Sequence, residues 1–138
     1  MANNKFKLED YTGEVKKELE KAAIAWLYEA GSELQAQTMR NTAVDTGQLK
    51  GSWRLEVDKD ELEAIVGSPL ENAIWEEFGT GEHALEGKGR NTPWVYQDAK
   101  GNWHYTKGKK PRRALHNAFT RLKPKLIKLA QEKFKGID

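Results

Sequence analysis

Between Glu14 and Met39 the apolar residues Val15, Leu19, Ala22, Ala23, Trp26, Leu27, Ala30 and Leu34 recur at three- and four-residue steps. That spacing lines one face of a long α-helix and demands a partner surface to cover it. Lys16, Lys17, Glu18, Glu20 and Lys21 mark the side left to water, and Thr12 or Asp10 is placed to cap the start. Gly31 interrupts the stripe at a cost of about 1 kcal/mol relative to alanine, which predicts a bend or a close neighbour there.

After Ala43 the period changes. Trp53, Leu55 and Val57 alternate with Arg54, Glu56 and Asp58, and Leu62, Ala64 and Val66 alternate likewise. With only the polar Asp58-Lys59-Asp60-Glu61 between them, these two runs predict an antiparallel hairpin, stopped by Gly67-Ser68-Pro69. Residues 72–78 are apolar at 73, 74, 75 and 78, a pattern that suits a short helix as well as a strand. Gly79, Gly81, Gly87, Gly89 and Pro93 predict a flexible loop over 79–93 with little to anchor it. Trp94-Val95-Tyr96 and Trp103-His104-Tyr105 then flank Asp98-Ala99-Lys100-Gly101-Asn102, an aromatic hairpin about a turn-forming centre.

A last helix is predicted from about Pro111 to Phe134, with Pro111 in its first turn, a kink at Pro124, and Leu115, Ala118, Phe119, Leu122, Leu126, Leu129, Ala130 and Phe134 as its apolar stripe. Helix, strands, then helix, without a βαβ repeat, predicts an α+β fold: a long N-terminal helix and a kinked C-terminal helix packed on an antiparallel β-sheet, with an extra aromatic hairpin. At 138 residues the chain fits one domain, 1–138, with one modest core.

The chain has no cysteine, which excludes a disulfide framework and a thiolate metal site. Its first ten residues lack the apolar core of a secretion signal, and no apolar run approaches the roughly 20 residues that span a bilayer. Synthesis and folding in a reducing cytoplasm, with no membrane, are the expectation. A net charge of +2 conceals a split. Residues 1–40 carry 6 basic and 7 acidic side chains (−1), residues 41–80 carry 3 and 9 (−6), and residues 81–138 carry 14 and 5 (+9). Such a split suits contact with nucleic acid, or the acidic part of one copy meeting the basic part of the next.

Three constellations bear on chemistry. Asp45-Thr46-Gly47 is the triplet of aspartic proteases, in which two carboxylates from two copies share a proton and activate water. Here it follows a helix where that chemistry needs a strand, and Asp45 with Gln48 has the spacing of a capping box instead. His83, His104 and His116, near Glu76, Glu77, Glu82 and Glu86, are of metal-ligating type, but no two histidines share a helical face at a four-residue step. Lys107, Lys109, Lys110, Arg112 and Arg113 beside Trp103 and Tyr105 combine cations with aromatics as single-strand binders do. A basic cluster at a helix N-terminus opposes the helix dipole, so an anion is expected nearby: phosphate, or a carboxylate of another subunit. No phosphate-cradling Gly-rich loop or nucleophile elbow is present.

Val44-Asp45-Thr46-Gly47-Gln48-Leu49-Lys50-Gly51-Ser52, then Val66-Gly67-Ser68, then Ala73 and Glu77-Phe78-Gly79-Thr80-Gly81, stand in an order that resembles the head-tail joining, or tail-completion, proteins of long-tailed bacteriophages and prophages. The resemblance extends over nearly the whole chain. Asn72 stands where that family commonly has Tyr, and Lys110-Pro111-Arg112-Arg113-Ala114-Leu115 is more basic than its usual Pro-Phe-Leu stretch. The resemblance implies a non-enzymatic structural virion protein without a cofactor, forming an oligomeric ring in the neck at the head-tail junction. Its partners would be further copies of itself, the portal or connector, and tail terminator or tail tube proteins, with passing contact with genomic DNA. Asp45, Thr46, Gly47, Leu49, Ser52, Gly67, Glu77, Phe78, Gly79, Thr80 and Gly81 would carry the family's structural motif, with Gly79 and Gly81 turning the backbone sharply after an anchored Phe78. Trp94, Tyr96, Trp103, Tyr105, Lys109, Lys110, Arg112 and Arg113 are the candidate contacts with subunits or partners. A small nucleic-acid-binding phage protein is the second function the residues fit, and a dimeric aspartic protease the third.

Overall fold

A computed structural model describes residues 12–44, 47–85, 87, 89–90, 92–98 and 100–137. The first apolar stripe folds as the helix α1 (Thr12–Asn41), and it is the central element of the fold. One side carries the hairpin of β1 (Arg54–Asp58) and β2 (Glu63–Gly67), and another carries the last helix, α4 (Ala114–Phe134). Two short helices, α2 (Gln48–Ser52) and α3 (Glu71–Phe78), link these layers, so the ambiguous stretch around 72–78 is helical. A second hairpin, β3 (Trp94–Gln97) with β4 (Trp103–Thr106), forms a separate sheet. The class is α+β, as the patterning predicts.

Small side chains let α1 and α4 approach. Ala30 packs with Leu122 and Leu126, flanked by Trp26 and Leu129, and the Trp26 indole N–H donates to the Leu126 carbonyl at 2.8 Å. At the rim, Lys125 reaches Glu33 (3.2 Å) and Lys133 reaches Glu29 (2.8 Å). Such exposed pairs are worth only about 0–1 kcal/mol, so apolar burial holds the two helices together. Pro124 stands inside α4 and removes the N–H that the Thr120 carbonyl would otherwise meet.

A second cluster, Leu49, Trp53 and Ala73 with Met39, Leu70 and Leu115, ties α2 and α3 to the end of α1. Hydrogen bonds fix this corner. The Trp53 indole donates to Thr42 Oγ1 (2.9 Å), which donates to the Thr38 carbonyl (2.7 Å), and Gln35 Nε2 donates to the Trp53 carbonyl (2.9 Å). Gly31 is explained by a close neighbour: a Cβ there would run into the Leu55 side chain, so glycine lets β1 lie directly on α1.

Register decides the faces of the first hairpin. Leu55 pairs with Val66 and Val57 with Ala64, all partly buried, while Glu56 opposite Ile65 and Asp58 opposite Glu63 point away. Asp58 Oδ1 accepts the N–H groups of Asp60 and Glu61 at 2.9 and 3.0 Å and closes the turn.

The last helix departs from expectation at its start. Pro111 lies ahead of it rather than in its first turn, and Arg113 occupies the N-cap position in a left-handed conformation (φ 55°, ψ 46°). The Glu76 carbonyl accepts the N–H of both Arg112 (2.7 Å) and Arg113 (3.2 Å), drawing this segment onto α3 and delaying the helix to Ala114. Among the described residues no helix is long and apolar enough to cross a membrane.

Candidate assembly surface

The segment around the Asp-Thr-Gly triplet is a connector between α1 and β1. Asp45 and Thr46, and with them the expected cap by Asp45, lie outside the described residues. Gly47 takes a left-handed conformation (φ 82°) at the N-cap of α2, which begins at Gln48. Leu49 is buried against Trp53 and Ala73. Ser52 donates to the Leu49 carbonyl at 2.6 Å or shares its hydroxyl proton with Ser68 Oγ, also at 2.6 Å, and Ser68 accepts the Leu70 N–H at the start of α3. Gly67 ends β2 opposite Arg54.

Glu77, at the end of α3, has a role that sequence patterning did not reveal. Its side chain is buried, Oε2 accepts the Leu115 N–H at 3.0 Å, and Oε1 accepts the His116 N–H at 2.9 Å. These are two of the donors that the first turn of a helix leaves without partners, and a carboxylate there also meets the positive end of the helix dipole. One signal of this was legible: Pro111-Arg112-Arg113 offers no capping side chain of its own, so α4 had to borrow one.

Two members of the basic cluster are held within the chain. Lys109 pairs with the mostly buried Glu76, and Arg112 Nε donates to the Asn41 carbonyl at 2.9 Å. Glu76 and Glu77 of the same chain thus bring carboxylates to the start of α4, a source of negative charge that the sequence reading did not include. Lys110 is exposed, and Arg113 is half-buried.

The glycine-rich segment is anchored at its start, against the expectation of a loose loop. The Thr80 N–H donates to the Lys109 carbonyl (2.9 Å), the Lys109 N–H returns to Thr80 Oγ1 (2.8 Å), and the Glu82 N–H donates to the Lys107 carbonyl (3.2 Å). Gly79 and Gly81 turn the backbone with positive φ, 76° and 61°. At Gly81, which opens a 3-10 turn (Gly81–His83), a Cβ would strike the Lys107 carbonyl and lie 2.8 Å from Gly108 Cα. Two backbones thus pass face to face here and form a neck. Phe78 is a second correction: it is not anchored by burial but 45% exposed, and the chain is fixed instead by Gly79 N–H to the Trp75 carbonyl (2.8 Å) and Leu85 N–H to the Phe78 carbonyl (2.9 Å).

Beyond the neck, the four aromatic residues divide between two faces. Trp94 pairs with Thr106 and Tyr96 with His104, so these share one face, and the Tyr96 and His104 rings stack at 5.2 Å. Trp94, Tyr96 and Thr106 of that face, together with Gln97, Trp75, Thr80 and Lys109, line a cavity of about 640 Å³. The other face carries Val95 opposite Tyr105 and Gln97 opposite Trp103. It is uncovered: Val95 is 57% exposed and Trp103 and Tyr105 are each 68% exposed. The turn is held by Asp98, whose Oδ1 accepts the N–H groups of Lys100 and Asn102 (both 2.9 Å) and whose Oδ2 meets His104 Nε2 at 2.7 Å. The His104 hydrogen bond, then the Asn102 and Lys100 N–H groups, hold the Asp98 carboxyl below the usual carboxylate range.

Residues 6–79 match the profile of the HK97-gp10-like family of bacteriophage tail components. The chain belongs to this family. Neither a curated protein nor a solved structure matches it. The HK97-gp10-like match runs from residue 6, ahead of α1, to Gly79, and so takes in α1, α2, the first hairpin and α3 and stops where the neck begins. The family is one of structural tail components of phages. Of the residues with metal-ligating side chains in this HK97-gp10-like chain, no three converge among the described residues; His104 is turned to Asp98 and His83 to Glu82.

Proposed function

We propose that this chain is a structural protein of the phage neck, which assembles as a ring between the portal or connector and the tail tube and so joins a DNA-filled head to a tail. The observation that carries the proposal is the exposed face of Val95, Trp103 and Tyr105 on a hairpin projecting from an HK97-gp10-like body. An isolated two-stranded hairpin is marginal in water, and Trp and Tyr in this number gain most when another surface covers them. The chain acts by docking rather than by chemistry. Its partners are further copies of itself, the portal side of the head and the tail terminator or tube, in the virion, with at most passing contact with DNA. Lys109 and Arg112, held by Glu76 and the Asn41 carbonyl, favour this over nucleic-acid binding as the main role. Electron micrographs of a lysate from phage lacking the gene test the proposal. Filled heads and finished tails should accumulate separately; normally joined particles, or heads without DNA, overturn it.

A further inference from the structure

Among the apolar-centred surfaces that the described residues leave uncovered, the outward faces of the two hairpins are opposite in charge. The outward face of the β1–β2 hairpin sets Ile65, 55% exposed, among Glu56, Asp58 and Glu63, with Arg54 as its one basic residue at the end opposite Gly67, so its net charge is negative. The turn adds Asp60 and Glu61, while its basic residue, Lys59, has its ammonium 6.0 Å from the Tyr28 ring of α1. The outward face of the β3–β4 hairpin carries Val95, Trp103 and Tyr105, with Lys107 in the bend just past the end of β4 and Lys100 in the turn. Both lysines are exposed, and among the described residues neither side chain holds an ion pair. The two hairpins belong to separate sheets.

We propose that the aromatic, lysine-flanked face of β3–β4 docks on the acidic, Ile65-centred face of β1–β2 in a second copy of this chain. The proposal rests on the ring reading and names its contact. Matching either face with itself sets like charge against like, which disfavours a two-fold dimer. Matching one with the other sets Trp103 and Tyr105 against Ile65 while the lysines meet Glu56, Asp58 and Glu63. Such a contact is head-to-tail, and repeats until a ring closes. The charges steer and orient the encounter, and the aromatic residues supply the burial.

The test uses the full chain and two charge-reversed variants, Glu56→Lys with Glu63→Lys, and Lys100→Glu with Lys107→Glu. Sedimentation and chemical cross-linking are followed over a protein and salt series, with circular dichroism as the check on folding. Wild type should form oligomers that weaken as salt rises through roughly 0.1 M, where charges are screened beyond about 10 Å. Each variant alone should associate roughly tenfold or more weakly, because its two faces now carry the same sign. An equimolar mixture should associate again, since each variant then offers the face that the other needs, a rescue that misfolded chains would not give. Trp103→Ser with Tyr105→Ser should remain monomeric at every salt concentration. Variants that assemble as wild type does place the contact elsewhere and overturn the inference while leaving the ring intact. A mixture that fails to recover overturns it as well, as does salt-sensitive DNA retention lost with Lys100 and Lys107 while self-association is unchanged. Wild type that stays monomeric throughout overturns both the inference and the self-assembled ring.

Discussion

Replacing Glu77 by alanine removes a carboxylate that bridges two helices far apart in sequence, and the cost can be worked from its geometry. Two hydrogen bonds, at 3.0 and 2.9 Å, end on a buried carboxylate. Loss of a single capping side chain costs about 0.5–2 kcal/mol, and hydrogen bonds to a charged acceptor are worth about 1.5–3 kcal/mol each. The freed N–H groups recover part of this from water that enters the space, which leaves about 2–4 kcal/mol for Glu77→Ala. Glu77→Gln keeps the volume and one acceptor oxygen but turns an amide donor toward an N–H, so about 1–2 kcal/mol is expected. For a domain of this size the alanine variant should melt roughly 10 °C lower. Urea unfolding of wild type, both variants and the exposed α4 control Glu132→Ala measures the series. If Glu77→Ala falls within about 0.5 kcal/mol of wild type, the range expected of the surface control, the bridge has no energetic role.

Two further outcomes are expected. Because the Asp98 carboxyl is held below its unfolded value of about 3.9, its contribution to hairpin order is present above that pH and is lost as pH falls through the lower folded value. The amide resonances of Lys100 and Asn102 should report this loss, and Asp98→Asn should abolish the titration; an unchanged titration in the variant assigns it to another group. Gly81→Ala combines a left-handed backbone with a Cβ driven into the neck, so it should cost about 1–3 kcal/mol and raise hydrogen exchange at Glu82; a variant as stable and as protected as wild type refutes the close passage.

Local periodicity made the secondary structure legible. The stripe from Ala22 to Leu34 and the alternation of Leu55 and Val57 with Ala64 and Val66 encode the faces they bury, whereas Leu19 and Leu62, part of the same patterns, stand exposed, and the glycines at 79 and 81 announced their backbone. What stayed hidden is non-local. Nothing near Glu77 says that its carboxylate ends on Leu115 and His116, and nothing near Lys109 says that Glu76 neutralises it. The aromatic residues read as one patch because sequence gives their types, whereas the pairing of Tyr96 with His104 and Val95 with Tyr105 decides which of them face the same way. Pro111 misled for a similar reason: its local preference for a first turn was overridden by the hold of the Glu76 carbonyl on Arg112 and Arg113.

The paired bonds between Thr80 and Lys109 mean that the body of the protein is already closed before the second hairpin is reached. The second hairpin lies on an excursion that leaves and returns through one doorway, so its turn and outward side chains can be rewritten without disturbing the contacts of α1 with α4. A lineage could change what its hairpin recognises in a few mutational steps while inheriting the same folded body, and a designer could graft a different binding loop onto the same two posts.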